Sequence, residues 1–129
     1  MNDKKSALDI LLRSDLPDMR KTLPEKKVEI TRLSKLAGEP VIFTLRGLTY
    51  DQVRRIMDKP TEEHAVYGVL YGCADPVWKN APLDKEKGIA TPVDVVKSML
   101  LSGEVDELYA QIQKLSGYLR STLSDVKND

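Results

Sequence analysis

Val28-Glu29-Ile30-Thr31-Arg32, then Gly38-Glu39-Pro40, then Val41-Ile42-Phe43-Thr44-Leu45: this stretch decides whether the chain is purely helical. Val28 and Ile30 alternate with polar neighbours, and Val41, Phe43 and Leu45 repeat the same period of two. That period belongs to a strand with one buried face. Gly38, Glu39 and Pro40 supply a reversal between the two runs. The stretch reads as a β-hairpin with a loop of several residues.

Downstream, the period changes to that of helices. Thr49-Tyr50-Asp51-Gln52 is a capping box, with Leu48 and Val53 placed as its hydrophobic staple. Thr61-Glu62-Glu63 offers a cap and two carboxylates to a second helix start. Thr91-Pro92 offers a cap followed by proline at the first helical position. Over 62–74, Val66, Val69, Leu70 and Cys73 make a stripe that Tyr67, Tyr71 and Ala74 widen, so this helix reads as central. Gly68 and Gly72 give it a smooth seam against which another element can pack closely. Pro76 stops it, and 76–90 reads as a loop rich in Pro, Asn, Lys and Gly. Val93, Val96 and Leu100 form the next stripe. After a break at Ser102-Gly103, Val105, Leu108, Ile112 and Leu115 form another. Leu119, Leu123 and Val126 suggest a short final helix.

Upstream of the hairpin, residues 6–13 read as a short amphipathic helix carrying Leu8, Leu11 and Leu12 on one side. Ser14, Asp15 and Pro17 stop it, and 15–27 holds two prolines and seven charges, the composition of an arm. The expected fold is α+β and mainly α: one β-hairpin near the N-terminal side, followed by four to five packed helices. The expected division is a short helix and polar arm over 1–27, a single globular domain over 28–126 and a polar tail over 127–129.

At 129 residues the chain is the length of one domain. Its 20 basic and 20 acidic residues cancel, so it lacks the cationic excess with which proteins neutralise nucleic-acid phosphates. Cys73 is the only cysteine, which excludes an intrachain disulfide and fits a reduced compartment. The N-terminal apolar stretch, Ala7 to Leu12, is interrupted by Asp9 and is too short for a secretory signal. No run approaches the ~18 apolar residues of a membrane span. A soluble, cytoplasmic protein is expected.

Nothing in the sequence assembles an active site. His64 is the only histidine. Nine residues before Cys73 on one helix, it would lie about 13 Å away along the axis. One His and one Cys do not close a zinc site, and no acidic loop has calcium-binding spacing. Gly68, Gly72, Gly103 and Gly117 fall outside any phosphate-cradling motif. No catalytic residue, cofactor or metal ligand is assigned. A helix-turn-helix can be drawn over 49–74, motivated by Arg54 and Arg55 beside Tyr50. Its second helix would present Glu62 and Glu63 to a phosphate-lined groove, where like charges oppose docking. Two apolar stripes remain as partner-binding candidates. Leu8, Leu11 and Leu12 sit on a tethered helix, and Val105, Leu108, Ile112 and Leu115 form either core or a groove for a partner's helix.

The order of several motifs then resembles a known family. Gly103-Glu104-Val105, Leu108, Ile112 and Leu115-Ser116-Gly117-Tyr118 are similar to the C-terminal signature of the XkdN-like phage tail assembly chaperones. Cys73-Ala74-Asp75-Pro76, Thr91-Pro92 and Met99-Leu100-Leu101 precede it in the expected order. Arg32-Leu33 and Phe43-Thr44-Leu45-Arg46-Gly47-Leu48-Thr49 in the hairpin do so as well. The similarity spans about 28–127, ends on Val126-Lys127-Asn128 and is loose over 1–27. It implies a non-catalytic protein of phage or prophage tail assembly. Such a protein binds the tape measure protein, keeps it soluble until tail tube subunits assemble around it, and is absent from the mature virion. Tape measure protein and tail tube subunits are the implied partners, and self-association stays open. The alternatives are a structural tail or adaptor protein and a small DNA-binding regulator.

Overall fold

The computed structural model describes residues 5–118 and 122–126. Its elements run α1 (Ala7–Leu11), β1 (Glu25–Glu29), α2 (Thr31–Ala37), β2 (Ile42–Arg46), α3 (Tyr50–Met57), α4 (His64–Gly72), β3 (Cys73–Asp75), α5 (Pro92–Met99) and α6 (Ser102–Leu115). The class is the expected α+β mixture, with four helices after β2 among the described residues.

The hairpin is present but displaced. β1 pairs antiparallel with β2 in the register Val28 to Phe43 and Lys26 to Leu45, so the strand begins at Glu25 and not at Val28. Ile30 keeps the alternation and is buried, but Thr31 and Arg32 have left the strand. Thr31 to Ala37 is rich in good helix formers, and Gly38 ends the helix in the left-handed conformation at φ 75°. The hairpin loop is therefore itself a helix. Its base is closed by Ile30 N–H donating to the Val41 carbonyl (3.0 Å) and Val41 N–H donating to Ser34 Oγ (2.8 Å).

A third strand was not expected. Cys73 and Ala74, read as the end of the central helix, instead form β3 with Asp75 and pair with the free edge of β2. The reason is local. Gly72 is a poor helix former, and Asp75 precedes Pro76, which disfavours helical backbone. The unpaired edge of β2 supplies partners for the extended chain. The sheet order is β1-β2-β3, with β2 central. Leu45 on β2 is fully buried, and Phe43 is nearly so.

Helices α3 to α6 pack into one core with Phe43 and Leu45 of β2. The boxes at Thr49–Gln52 and Thr91–Asp94 form in both directions, with Gln52 N–H donating to Thr49 Oγ1 at 3.1 Å and Asp94 N–H to Thr91 Oγ1 at 3.3 Å. Thr61 makes no side-chain cap. Residues Thr61–Glu63 form a 3₁₀ turn, and α4 begins at His64. Ile56, Val69, Val96 and Ile112 bring α3, α4, α5 and α6 into one core with Leu45.

The glycine seam of α4 faces α6. A Cβ on Gly72 would lie 2.6 Å from two branches of Ile112, and one on Gly68 would overlap the Tyr109 ring. Only glycine lets these helices approach so closely. Leu119 of the suggested final helix lies outside the described residues. Leu123 and Val126 sit in non-helical chain and are exposed. The 127–129 tail also lies outside the described residues.

Candidate functional site

The two apolar stripes meet opposite fates. Val105, Leu108 and Ile112 are buried against α4 and the sheet, and Leu115 is half-buried. Those four side chains hold the domain together, the core role that the spacing also allowed. Leu8, Leu11 and Leu12 are 62%, 60% and 72% exposed, and α1 buries no residue at all. α1 is shorter than expected, yet it carries its own capping box. Asp9 N–H donates to Ser6 Oγ (3.1 Å), and Ser6 N–H donates to Asp9 Oδ2 (3.2 Å).

A surface groove that the sequence reading did not find lies between α3 and the end of α6. Leu48 and Val53 form its floor, and Tyr50, Met57 and Tyr118 form its exposed walls. Arg54 lies over the Tyr50 ring, 5.1 Å from its centre, and donates to the Tyr50 hydroxyl at 2.8 Å. The floor is rigid because the two segments are bonded together. Leu48 N–H donates to Ser116 Oγ (2.7 Å), and that hydroxyl donates to the Ile112 carbonyl (2.7 Å). A Cβ on Gly47 would meet the Leu115 carbonyl at 2.6 Å, so the backbones nearly touch. The signal for this groove was present in sequence, because Tyr50 and Met57 fall on opposite ends of one capped helix. Tyr118 joins them only through the fold.

The remaining candidates fall to structural roles. His64 Nε2 donates to the Lys59 carbonyl at 2.8 Å, closing the turn between α3 and α4. Glu63 pairs with Lys97 of α5 at 3.5 Å. Burial pushes the Cys73 thiol up to about 11, against the opposing effect of the Trp78 indole, so it is neutral and unreactive at ordinary pH. No three His, Cys, Asp or Glu side chains gather into a metal-holding group among the described residues. Nor is any described helix long and apolar enough to cross a membrane. Trp78 is a core residue that sequence reasoning passed over. It is 6% exposed within the polar 76–90 segment and meets Phe43 edge to face at 5.6 Å. Its signal was being the only tryptophan, next to Val77 in otherwise polar chain.

Comparison with known proteins adds a family and a fold. The family described as "Phage XkdN-like tail assembly chaperone protein" matches residues 8–128. That range is wider than the motifs alone suggest, because it takes in the arm and α1 from Leu8 onward. A crystal structure of the protein yqbn, a structural genomics target, superposes with a TM-score of 0.56 at 19% identity. The similarity covers 75% of this chain and 89% of that one, and at such identity it speaks for the fold alone. No curated protein matches this chain.

Proposed function

The chain belongs to the XkdN-like phage tail assembly chaperones, and from that premise we propose that it binds the tape measure protein and keeps it in solution until tail tube subunits assemble around it. The observation that carries this reading is α1. Three leucines stand mostly exposed on a capped helix at the end of a polar arm, within the range the family match covers. Apolar side chains in water are stabilised by covering them. A long helical client with apolar faces is a suitable cover, because an amphipathic helix binds another through side chains at this spacing.

The groove of Tyr50, Met57 and Tyr118 offers a second apolar contact on the rigid domain. Two modest contacts joined by the polar arm hold a client through effective concentration and still release it stepwise. That suits a chaperone displaced by tube subunits. The reading is non-catalytic and places the protein in the host cytoplasm and outside the finished virion.

Co-expression tests it. The tape measure protein should move to the soluble fraction with this chain and co-purify with it. The variant carrying Ser at Leu8, Leu11 and Leu12 should leave the client insoluble. A client that aggregates equally with and without the chain sinks the proposal. Mass spectrometry of purified particles then separates the chaperone from a structural tail protein, which would remain in the virion.

A further inference from the structure

β1 is an outer strand of the sheet, and one of its edges pairs with no other strand. The two ends of the hairpin fix which of its groups are free. Ile30 N–H donates to the Val41 carbonyl and Gly47 N–H to the Pro24 carbonyl, so the even-numbered residues of β1 exchange hydrogen bonds with β2. The N–H and C=O groups of Glu25, Lys27 and Glu29 therefore point away from β2. No described backbone or side-chain group bonds to them, and all three residues are exposed. An open edge of this kind is a template for another strand.

Beside that edge runs α6. A groove of about 330 Å³ lies between them, with Val28, Ile30 and Leu108 as its floor and Glu107 and Gln111 in its wall. It has room for side chains and not for a helix about 10 Å across. Lysines on an edge strand often discourage pairing. Here Lys26 donates to Gln111 Oε1 at 3.0 Å, which draws it toward α6 instead of out over the edge.

The other face of β1 carries Glu25, Lys27 and Glu29 in alternation, none of them in an ion pair among the described residues. Arg46 stands across the ladder from Glu25 and leaves it unpaired. An incoming strand that sets lysine, glutamate and lysine against these three satisfies each one, because directly opposed residues of antiparallel strands touch. Its alternate residues then turn toward Val28 and the groove, where β-branched side chains suit a pleated, half-buried surface. A second β1 opposes at most two of the three with the opposite charge, whichever antiparallel register it takes.

We propose that the β1 edge receives an extended segment of a partner polypeptide as an antiparallel fourth strand, with lysine, glutamate and lysine on one face and β-branched residues turned toward α6. This edge shares no residue with α1 or with the groove of Tyr50 and Met57, so the client assay and the test below can each fail without the other.

The intact protein is titrated with the blocked peptide Lys-Val-Glu-Val-Lys while its backbone amides are followed by NMR. The Lys27 and Glu29 amides should shift saturably with a Kd of about 1 mM, and their hydrogen exchange should slow. The charge-reversed peptide Glu-Val-Lys-Val-Glu should bind roughly tenfold more weakly. Methylation of the peptide's glutamate nitrogen, which faces β1, should abolish binding, whereas methylation of a valine nitrogen, which faces solvent, should not. Lys27→Pro removes one outward N–H at a position where an edge strand tolerates proline, and should fold without binding. Lys27→Glu, an exposed change, should fold and prefer Lys-Val-Lys-Val-Lys to the first peptide. The absence of a saturable shift overturns the proposal. So does equal binding of the two methylated peptides, or shifts confined to α6, since either would mean side-chain contact without strand pairing. A concentration-dependent dimer in sedimentation that Lys27→Pro abolishes also overturns it, by giving the edge to a second copy of the chain.

Discussion

α1 and α6 carry the same kind of message in sequence, leucines and their aliphatic equivalents repeated at three and four residues. On α6, Val105, Leu108 and Ile112 are buried, and Ile112 has no exposed surface. On α1 and its C-cap, Leu8, Leu11 and Leu12 are each more than half exposed. The periodicity is not what separates them. α6 has a facing surface shaped to receive it, the Gly68–Gly72 seam of α4, whereas α1 is followed by a charged arm. A helical stripe states that a face wants cover, and only the rest of the chain decides whether that cover is internal.

The largest test of this contrast truncates one side chain from each stripe. Ile112→Ala should cost about 3–5 kcal/mol, because a fully buried aliphatic leaves a cavity that α4 cannot close. Leu11→Ala should change stability by less than about 0.5 kcal/mol. Urea denaturation of both variants measures the difference. Similar losses would mean that α1 is part of the folded core.

The seam itself comes next. Gly72→Ala places a methyl against Ile112, which has no free space to enter, and overpacking of this kind costs about 1–3 kcal/mol. Alanine returns about 1 kcal/mol through helix propensity, so a net loss of about 1 kcal/mol is expected. Gly68→Ala should lose less, because the Tyr109 ring it meets is half-buried and has room to turn outward. Reversal of that order would show that the helices adjust by sliding and not by moving side chains.

Much of this was legible before any coordinates. The boxes at Thr49 and Thr91, the alternation of Phe43 and Leu45 and the glycine seam are local patterns, and each stands where the sequence placed it. The break read at Ser102-Gly103 instead falls at Leu100–Leu101, and Ser102 and Gly103 open α6. The failures share a cause. α2 replaced half of the expected first strand because Thr31 to Ala37 is consistent with either state and Gly38 decides only as a cap. β3 displaced the end of a helix because β2 needed a second partner, a demand invisible from residues 73–75 alone. The groove at Tyr118 and the one between β1 and α6 are assembled from distant segments. Periodicity says nothing about such neighbours.

A smaller effect comes from the bond that docks the N-terminus of α6. Arg32 on α2 reaches Glu104 with two hydrogen bonds, Nε to Oε2 at 3.0 Å and Nη2 to Oε1 at 2.8 Å, and also donates to the Met99 carbonyl. Glu104 in turn accepts from the Leu101 N–H at 2.7 Å, as an acid at a helix start should. The Arg32 guanidinium, first among these, holds the Glu104 carboxyl below its ordinary range. A lowered folded value means that the stabilisation is complete above the unfolded pKa of about 4.3 and is lost as pH falls through the folded value. Glu104→Gln should therefore cost roughly 1 kcal/mol at pH 7 and much less near pH 3. Denaturation at the two pH values checks this. A loss independent of pH would assign the effect to packing.

The smallest change in stability should accompany the largest change in behaviour. Replacing Leu8, Leu11 and Leu12 together with serine removes three exposed side chains that contact no core, so the melting temperature should stay within about 2 °C of the parent's. The capping box of Ser6 and Asp9 is untouched, which leaves the short helix its own start. If the stripe is cover for a client, this variant should fold normally and fail to keep the tape measure protein soluble, whereas Ile112→Ala should fail only as far as it unfolds. Parallel titration of chaperone capacity against folded fraction separates the two. Capacity that follows folded fraction for Ile112→Ala, and departs from it for the triple variant, assigns client contact to α1. Capacity that follows folded fraction in both returns the arm to the status of a solvated lead-in and moves the search for the contact to the Tyr50–Met57 groove.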